Sequence, residues 1–434
     1  MTLYRVSQDT AFESAVGALG ADKTRFQHWL DALAPLIPAV KDSPQREAAP
    51  VLSLPATTED LAEIESVAKQ IREQFSTLVV VGMGGSSLSG EALTYLRKSG
   101  GTQLRFVDNI DPATLSRLCE QLNWKETAFL VISKSGGTVE TLAQFAVLLR
   151  HAKQKIGAGF AKHFTIITIT NGNVLHSLAK AHDIRVIAHD PDLGGRFSIL
   201  SSVGLVPAAV MGLDIRALRA GAQQVITQHF SGDMAQAPAA QGAALQLALI
   251  EKQTRQHVFL HYVDALSGLA LWFRQCWGES LGKCDKATSP VTARGTTDQH
   301  SQLQLYLDGP RDKLFSMLML EYSGQGDPID FPDSADPRLA FLKGRTLGDL
   351  MVAEQRATFD SLVQRGCPTR SFSLTRFDEQ VMGALLMHFA LEIMFTAKLL
   401  KIDAFDQPAV EDGKKIALAY LAGEDGAGAQ ARRA

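Results

Sequence analysis

Hydrophobic runs of strand length alternate with amphipathic stretches of helix length between about residue 61 and residue 210. The predicted strands cover residues 77–82, 103–107, 128–132, 164–169 and 184–187, and the predicted helices cover residues 59–73, 87–98, 112–121, 139–154 and 173–181. A long apolar helix is predicted after them, from Ile199 to Met211. This alternation is typical of βαβ units, which build a parallel sheet with helices on both of its faces.

A second α/β block is predicted from about Ala239 onwards. Its predicted strands cover residues 257–262, 314–320 and 371–374. One predicted helix follows the first of these strands and ends at Glu279, and two more cover residues 345–364 and 378–400. We therefore expect an α/β protein with two three-layer αβα sandwich domains and mainly parallel sheets, plus N-terminal and C-terminal helices. The expected divisions are an N-terminal helical segment (1–58), a first domain (59–215), a second domain ending in a helix (216–422) and a flexible tail (423–434).

The composition narrows the class of protein and its location. The 434 residues are 46% apolar and 21% charged, which is typical of a soluble globular protein, and the net charge of −3 argues against a broad nucleic-acid-binding surface. The four cysteines show no CxxC spacing, which favours reduced thiols. No apolar run reaches the ~18–20 residues that span a bilayer, and the first residues lack a signal-peptide pattern. We expect a cytoplasmic protein without membrane or nucleic-acid partners.

Two of the predicted strands end in loops of small and polar residues. Loop 1 reads Gly-Met-Gly-Gly-Ser-Ser (82–87), and loop 2 reads Ser-Lys-Ser-Gly-Gly-Thr (133–138). Glycine lets the backbone approach a ligand closely, and a helix N-terminus directs N–H groups at anions. The hydroxyls of Ser86, Ser133, Ser135 and Thr138 add donors that suit a phosphate.

Loop 1 matches neither of two common nucleotide-binding signatures. Ser87 stands where Gly-x-Gly-x-x-Gly needs its third glycine, and no Gly-Lys-Ser/Thr ends loop 1 as in a P-loop. Loop 1 alone is equally consistent with a tight strand–helix turn of any α/β protein. The two loops together favour a phosphorylated small molecule.

Six sequence blocks between about Val79 and Leu418 form a recognisable set. The blocks are loop 1, loop 2 with Val139-Glu140-Thr141, Gly194-Gly195-Arg196-Phe197-Ser198 with Val203-Gly204-Leu205, residues 275–283 (QCWGESLGK), residues 295–301 (GTTDQHS) and residues 406–414 (DQPAVEDGK). Together they resemble the glucose-6-phosphate isomerase (phosphoglucose isomerase) family, which has the sugar isomerase (SIS) fold. The resemblance implies reversible isomerisation of glucose 6-phosphate to fructose 6-phosphate.

The chemistry of the residues agrees with that implication. Moving a carbonyl between C1 and C2 of a sugar phosphate needs one base that removes a proton and returns it to the neighbouring carbon. Glu279 suits this role beside Trp277 at the end of an apolar helix, where Gln275 would face the same way. The alternative is an ordinary i,i+4 surface pair between Glu279 and Lys283.

Three more residues receive catalytic roles from the resemblance. Arg196 stabilises the enediolate oxygens with its forked positive charge, although it is also consistent with a helix-start arginine paired to Asp192. His300 and Lys414 open the cyclic sugar, although either is also consistent with a solvated polar residue. The implied substrate- and phosphate-binding residues are Gly85, Ser86, Ser133, Lys134, Ser135, Gly136, Thr138, Gly195, Gln275 and Gln407.

No metal and no organic cofactor are expected. His257 and His261 are four residues apart in a strand-like run, where they would lie well separated on one face of a sheet. In the family the active site is completed across a homodimer, so the resemblance implies that the neighbouring chain supplies His300.

Departures from the family pattern leave the choice of sugar open. In the family, the position that Gly137 occupies in loop 2 usually holds a hydroxyl residue. The position that Asp298 occupies before Gln-His is often glycine in the family. An enzyme that also accepts the epimer mannose 6-phosphate is therefore an alternative. A sugar-phosphate-sensing SIS module without catalysis is a further alternative, but it would not need the glutamate, histidine and lysine together.

Overall fold

The computed structural model describes residues 3–41, 48–96, 100–231, 237–331 and 336–423. The strands are β1 (Arg5–Ser7), β2 (Thr77–Val81), β3 (Gln103–Val107), β4 (Thr127–Ile132), β5 (Phe164–Thr168), β6 (Arg185–Ala188), β7 (Gln256–His261), β8 (Ser289–Arg294), β9 (Lys313–Leu320) and β10 (Thr369–Leu374). The α-helices are α1 (Glu13–Val16), α2 (Lys23–Leu33), α3 (Ile37–Lys41), α4 (Ala48–Ser53), α5 (Leu61–Gln74), α6 (Gly85–Thr94), α7 (Pro112–Gln121), α8 (Val139–Ile156), α9 (Val174–Ala181), α10 (Ser202–Val210), α11 (Ile215–His229), α12 (Pro238–Ile250), α13 (Ser267–Leu281), α14 (Leu303–Asp308), α15 (Leu347–Gln364), α16 (Glu379–Leu400) and α17 (Glu411–Leu421).

The first sheet is wholly parallel, with strand order β3-β2-β4-β5-β6. Successive residues of β2 pack on opposite sides: Leu78 and Val80 join one apolar cluster, whereas Val79 and Val81 join another. Since side chains alternate across a strand, each face of the sheet has its own core and its own helices. The predicted α/β alternation is confirmed here.

The second sheet has strand order β1-β10-β9-β7-β8 and is parallel except at β1. The N-terminal segment contains the predicted helices, α1 to α4, and it also contains the strand β1, which was not predicted and whose Arg5 pairs antiparallel with Ser373 at the sheet edge. The Tyr4 hydroxyl also lies 2.9 Å from Nδ1 of buried His388. Three strand residues are too few to produce a visible alternation, which is why the pattern missed them.

Helix α16 forms the core between the second sheet and neighbouring helices, and it packs against α11, α12 and α13. Within the described ranges it is the one helix whose length and composition are compatible with crossing a membrane, but 94% of its most apolar window is buried inside the protein. Asp378 caps its N-terminus by accepting from the Val381 amide at 3.0 Å. The helix also carries Glu392, which pairs with Arg370 in the fully buried core.

The remaining predictions about chain segments have different outcomes. The helix predicted from Ile199 starts later, because Gly195–Leu200 is a 3₁₀ helix and Ser201 then caps α10. The predicted tail beyond Gly423 and the predicted end of the helix at 98 lie outside the described residues. The division of the chain near residue 215 stays a prediction.

Candidate functional site

Loop 1 leaves the carboxyl end of β2 and enters α6, whose N-terminus lies at this edge of the sheet. Gly84 adopts φ +55°, a left-handed conformation that favours glycine. A Cβ on Gly85 would collide with the carbonyl group of Gly195, so loop 1 packs directly against the backbone that precedes Arg196. Ser86 is half-buried at the start of α6, where the positive end of the helix dipole favours an anion.

Loop 2 curls at the carboxyl end of β4, next to β2 in the sheet. The buried Ser133 hydroxyl lies 3.1 Å from Oγ1 of Thr138 and accepts from the Gly136 amide at 3.1 Å. The Gly137 amide donates to the hydroxyl of Ser135 at 3.3 Å. These contacts bring the predicted hydroxyls of loop 2 together at the N-terminus of α8. Lys134, between Ser133 and Ser135 in the sequence, is half-buried.

The next connection along the sheet holds loop 2 in place. Asn173 caps α9 by accepting from the His176 amide at 2.9 Å, and its Nδ2 donates to the Ile169 carbonyl at 2.7 Å. Gly136 adopts φ +63°, and a Cβ there would collide with the Asn173 side chain. Asn173 was not predicted from the sequence, although its place after β5 in a Thr-Asn-Gly-Asn loop is a usable signal.

Arg196 and Glu279 form an ion pair at the centre of the site. Arg196 Nε lies 3.1 Å from Oε2 of Glu279, and the two side chains are 4% and 32% exposed. Arg196 Nη1 donates to the Ser280 hydroxyl at 3.1 Å. Neither alternative from the sequence holds: Arg196 pairs with Glu279 rather than Asp192, and Lys283 pairs with Asp406 at 2.6 Å rather than with Glu279.

The remaining donors of Arg196 reach the segment that follows α16. Nη1 donates to the Ala404 carbonyl at 3.2 Å, and Nη2 donates to the Phe405 carbonyl at 3.0 Å. Nη2 also donates to Oε1 of Gln407 at 3.0 Å. The backbone of Arg196 is fixed as well, because its carbonyl accepts from Nε1 of Trp272 at 2.9 Å. The guanidinium is therefore buried with each nitrogen engaged.

Gln275 connects loop 1 to the glutamate. Its Nε2 donates to Oε1 of Glu279 at 2.9 Å, and a Cβ on Gly84 would lie 3.2 Å from the same Nε2. The Oε1 of Gln275 is buried and has no hydrogen-bond partner in the described part of the chain. The structure thus brings together loop 1, Gly195, Arg196, Gln275, Glu279 and Gln407.

His300 and Lys414 do not join this group. His300 is exposed after a 3₁₀ turn that follows the edge strand β8, and its side chain has no hydrogen-bond partner among the residues described. The Lys414 ammonium lies 2.6 Å from Oε1 of Glu411 on the exposed helix α17, and the Lys414 side chain is 60% exposed. Asp298, two residues before His300, accepts from the Arg294 amide at 2.7 Å.

The two strand histidines are core residues. Nε2 of His257 lies 2.7 Å from Oγ of Ser316, and Nδ1 of His261 lies 2.9 Å from the Val263 carbonyl. Burial lowers the pKa of His257 to about 3 and that of His261 to about 4, so both imidazoles are neutral. Each has its own protein partner.

Comparison with known proteins agrees with this geometry. The family model described as phosphoglucose isomerase matches residues 61–311. The chain belongs to the phosphoglucose isomerase family. It is 38% identical over 387 residues to the glucose-6-phosphate isomerase of Carboxydothermus hydrogenoformans, covering 84% of this chain and 83% of that protein. It is 36% identical over 384 residues to the Rubrobacter xylanophilus enzyme of the same name, covering 85% and 88%.

Solved structures extend the similarity over the whole fold. A hypothetical protein from Thermus thermophilus is 30% identical, with a TM-score of 0.88 over 96% of this chain and 100% of that one. A glucose-6-phosphate isomerase from Chlamydia trachomatis is 21% identical, with a TM-score of 0.77 over 97% of this chain and 88% of that one, and it shows the shared fold. The resemblance and fold class predicted from the sequence are confirmed.

Proposed function

We propose that this protein interconverts glucose 6-phosphate and fructose 6-phosphate by reversible aldose–ketose isomerisation. One observation carries the proposal: the partly exposed carboxylate of Glu279 lies 3.1 Å from the buried guanidinium of Arg196, beside loop 1. Proton transfer next to a carbonyl needs a base and a nearby positive charge for the developing oxyanion. Family relatives named glucose-6-phosphate isomerase support the same activity.

In the proposed reaction the sugar phosphate is anchored by the hydroxyls and amides of loops 1 and 2, with Lys134 nearby. Glu279 removes the C2 proton of the open-chain aldose, and the electron pair moves through C2–C1 to leave an enediolate. Arg196 stabilises the negative oxygen, because the attraction between opposite charges is stronger at a buried guanidinium than in water. Glu279 then returns the proton to C1, while the O2 hydroxyl proton moves to O1. The aldehyde at C1 thereby becomes a hydroxyl and C2 becomes a ketone.

Ring opening is assigned to His300 and Lys414, and we propose that His300 acts in the site of a second subunit of a homodimer. His300 is exposed beyond edge strand β8 and makes no hydrogen bond to Arg196 or Glu279 within the described part of its own chain, which supports this arrangement. Gln275 and Gln407 are proposed to contact sugar hydroxyls, since each already bonds a catalytic group. The four free cysteines support the proposed cytoplasmic location.

Steady-state rates on glucose 6-phosphate, fructose 6-phosphate and mannose 6-phosphate test the proposal. Glu279→Gln is expected to lower kcat about a thousandfold, because general-base catalysis contributes about 10²–10⁴-fold. Glu65→Gln is the matched control, since Glu65 also pairs with an arginine, Arg216 at 2.8 Å, but on the surface. A wild-type protein that binds glucose 6-phosphate without turnover would instead indicate the sensing module, and equal turnover of mannose 6-phosphate would indicate dual specificity.

A further inference from the structure

Residues 403–407, here called the strap, lie between α16 and the 3₁₀ turn before α17. The strap contacts Arg196 and the residues that follow α13, the helix that carries Glu279. The strap contains Gln407 and leads to Lys414 in α17. Its backbone carbonyls at Ala404 and Phe405 accept from Arg196 at 3.2 and 3.0 Å. The ring of Phe405 also packs against that of Phe197, with centroids 5.5 Å apart.

Lys283 forms a second tie to the strap. It lies two residues beyond the end of α13, and its ammonium lies 2.6 Å from Oδ1 of Asp406. The same ammonium donates to the Asp403 carbonyl. The Lys283 side chain is 14% exposed, whereas that of Asp406 is 52% exposed, so the lysine stem is packed while its partner remains in contact with solvent.

The position of the strap determines the orientation of Arg196. A buried guanidinium needs acceptors for its donors, because an unsatisfied buried charge is costly. Three strap carbonyls and the Gln407 side chain supply acceptors for Nη1 and Nη2, which leaves Nε directed at Glu279. A displaced strap would therefore turn the guanidinium plane and move it relative to the glutamate.

We propose that Lys283 is a positioning residue for the isomerisation: by holding the strap through Asp403 and Asp406, it orients Arg196 and the Gln407 side chain at the reacting atoms. This inference rests on the proposed function. A partly exposed ion pair contributes little to folding stability, so its effect is expected in the rate of the chemical step rather than in the fold. Misplacement of a catalytic group by about 1 Å can cost about a hundredfold in rate.

Lys283→Met is the test, with Lys286→Met as its matched control. Lys286 lies on the same connection after α13 and donates to the Leu400 carbonyl at 3.2 Å, at the end of α16, without contacting the strap. Lys283→Met is expected to lower kcat about tenfold or more, with a smaller change in KM, because loops 1 and 2, which are proposed to hold the phosphate, are untouched. Lys286→Met should keep kcat within about twofold of wild type, and Lys283→Arg should recover most of the loss.

Asp406→Asn keeps the inference testable if Lys283→Met does not fold. Asp406→Asn should also lower kcat. The double variant Lys283→Met/Asp406→Asn should have a kcat no lower than that of Lys283→Met alone, because both substitutions remove the same ion pair. Comparable melting temperatures for Lys283→Met and Lys286→Met should accompany their different kcat values. Full kcat in both Lys283→Met and Asp406→Asn, or an equal loss in Lys286→Met, would overturn the inference. A wild type that isomerises no sugar phosphate would instead overturn the proposed function.

Discussion

The proposed catalytic machinery has two halves, the Arg196–Glu279 pair and the ring-opening residues His300 and Lys414. The two halves differ in whether a single chain brings their residues together. The Arg196–Glu279 pair is fixed by contacts within the chain, and Arg196 is only 5% exposed. His300 and Lys414 lie at the surface, and α17 buries only Ala419 among its residues. The proposed proton-transfer centre is thus preformed in a single chain, whereas the proposed ring-opening groups would need a further contact to reach it. This difference predicts that the two halves respond differently to mutation and to mixing of subunits.

The largest expected effect comes from removing the buried charge of the preformed centre. Arg196→Met should lower kcat about a thousandfold, because oxyanion stabilisation by one donor group contributes about 10²–10³-fold and the glutamate loses its partner. It should also lower the free energy of unfolding by about 3 kcal/mol, since Glu279 and the strap carbonyls are left without donors. Kinetics and urea unfolding measure the two effects.

Arg370→Met is the control for Arg196→Met, because it also removes a buried arginine but should not affect the proposed reaction. Arg370 is fully buried and pairs with Glu392 at 2.8 Å, outside the candidate site. Its loss should destabilise the protein at least as much as Arg196→Met, while the folded protein keeps kcat within a few-fold of wild type. Equal losses of kcat in the two variants would contradict a specific role for Arg196.

The second prediction concerns the supply of His300 by a second subunit. His300→Ala should lower kcat about a hundredfold on the cyclic substrate, as expected for loss of an acid–base group. Refolding His300→Ala chains together with Glu279→Gln chains should restore activity, because mixed dimers contain one site with both native groups. Activity of the mixture is measured against each variant refolded alone. Mixtures no more active than the two variants separately would contradict the shared site.

The third prediction tests the register of α17 by comparing neighbouring lysines. Lys414→Met should lower kcat about tenfold or more on cyclic glucose 6-phosphate, since it removes one ring-opening group. Lys415→Met removes the same charge one residue later, about 100° around the helix, and should leave kcat within about twofold. A larger loss for Lys415→Met in steady-state assays would assign the role to Lys415 instead.

Much of the fold and the two loops could be predicted from the sequence, because their signals are local. Strand runs that end in small-residue loops indicated loops 1 and 2. The grouping of loop 1, Arg196 and Glu279 that the structure shows was implied by the resemblance to the phosphoglucose isomerase family rather than by a local pattern. The contact of Gln275 with Glu279 also follows from their helical spacing.

What the sequence could not predict depends on pairings between distant segments. The spacing of Glu279 and Lys283 is compatible with an i,i+4 ion pair, but the chain turns at Gly282 and the lysine reaches Asp406 instead. The edge strand β1 exists only because β10 offers it a partner. The proposed supply of His300 by a second subunit depends on a contact between chains, which no local pattern encodes.

The smallest expected effect concerns how firmly the preformed half holds the phosphate. Asn173→Ala removes the side chain that packs against Gly136 and donates to the Ile169 carbonyl, so loop 2 should lose its fixed shape. We expect KM for glucose 6-phosphate to rise about three- to tenfold with kcat within about twofold, because the phosphate contacts weaken equally in the ground and transition states. Asp111→Ala is the matched control: Asp111 caps α7 by accepting from the Thr114 amide at 2.6 Å. Each variant loses one helix cap, at a cost of about 1 kcal/mol, but only Asn173→Ala disturbs loop 2. An equal rise of KM in both variants would show that reduced domain stability, rather than the shape of loop 2, determines phosphate binding.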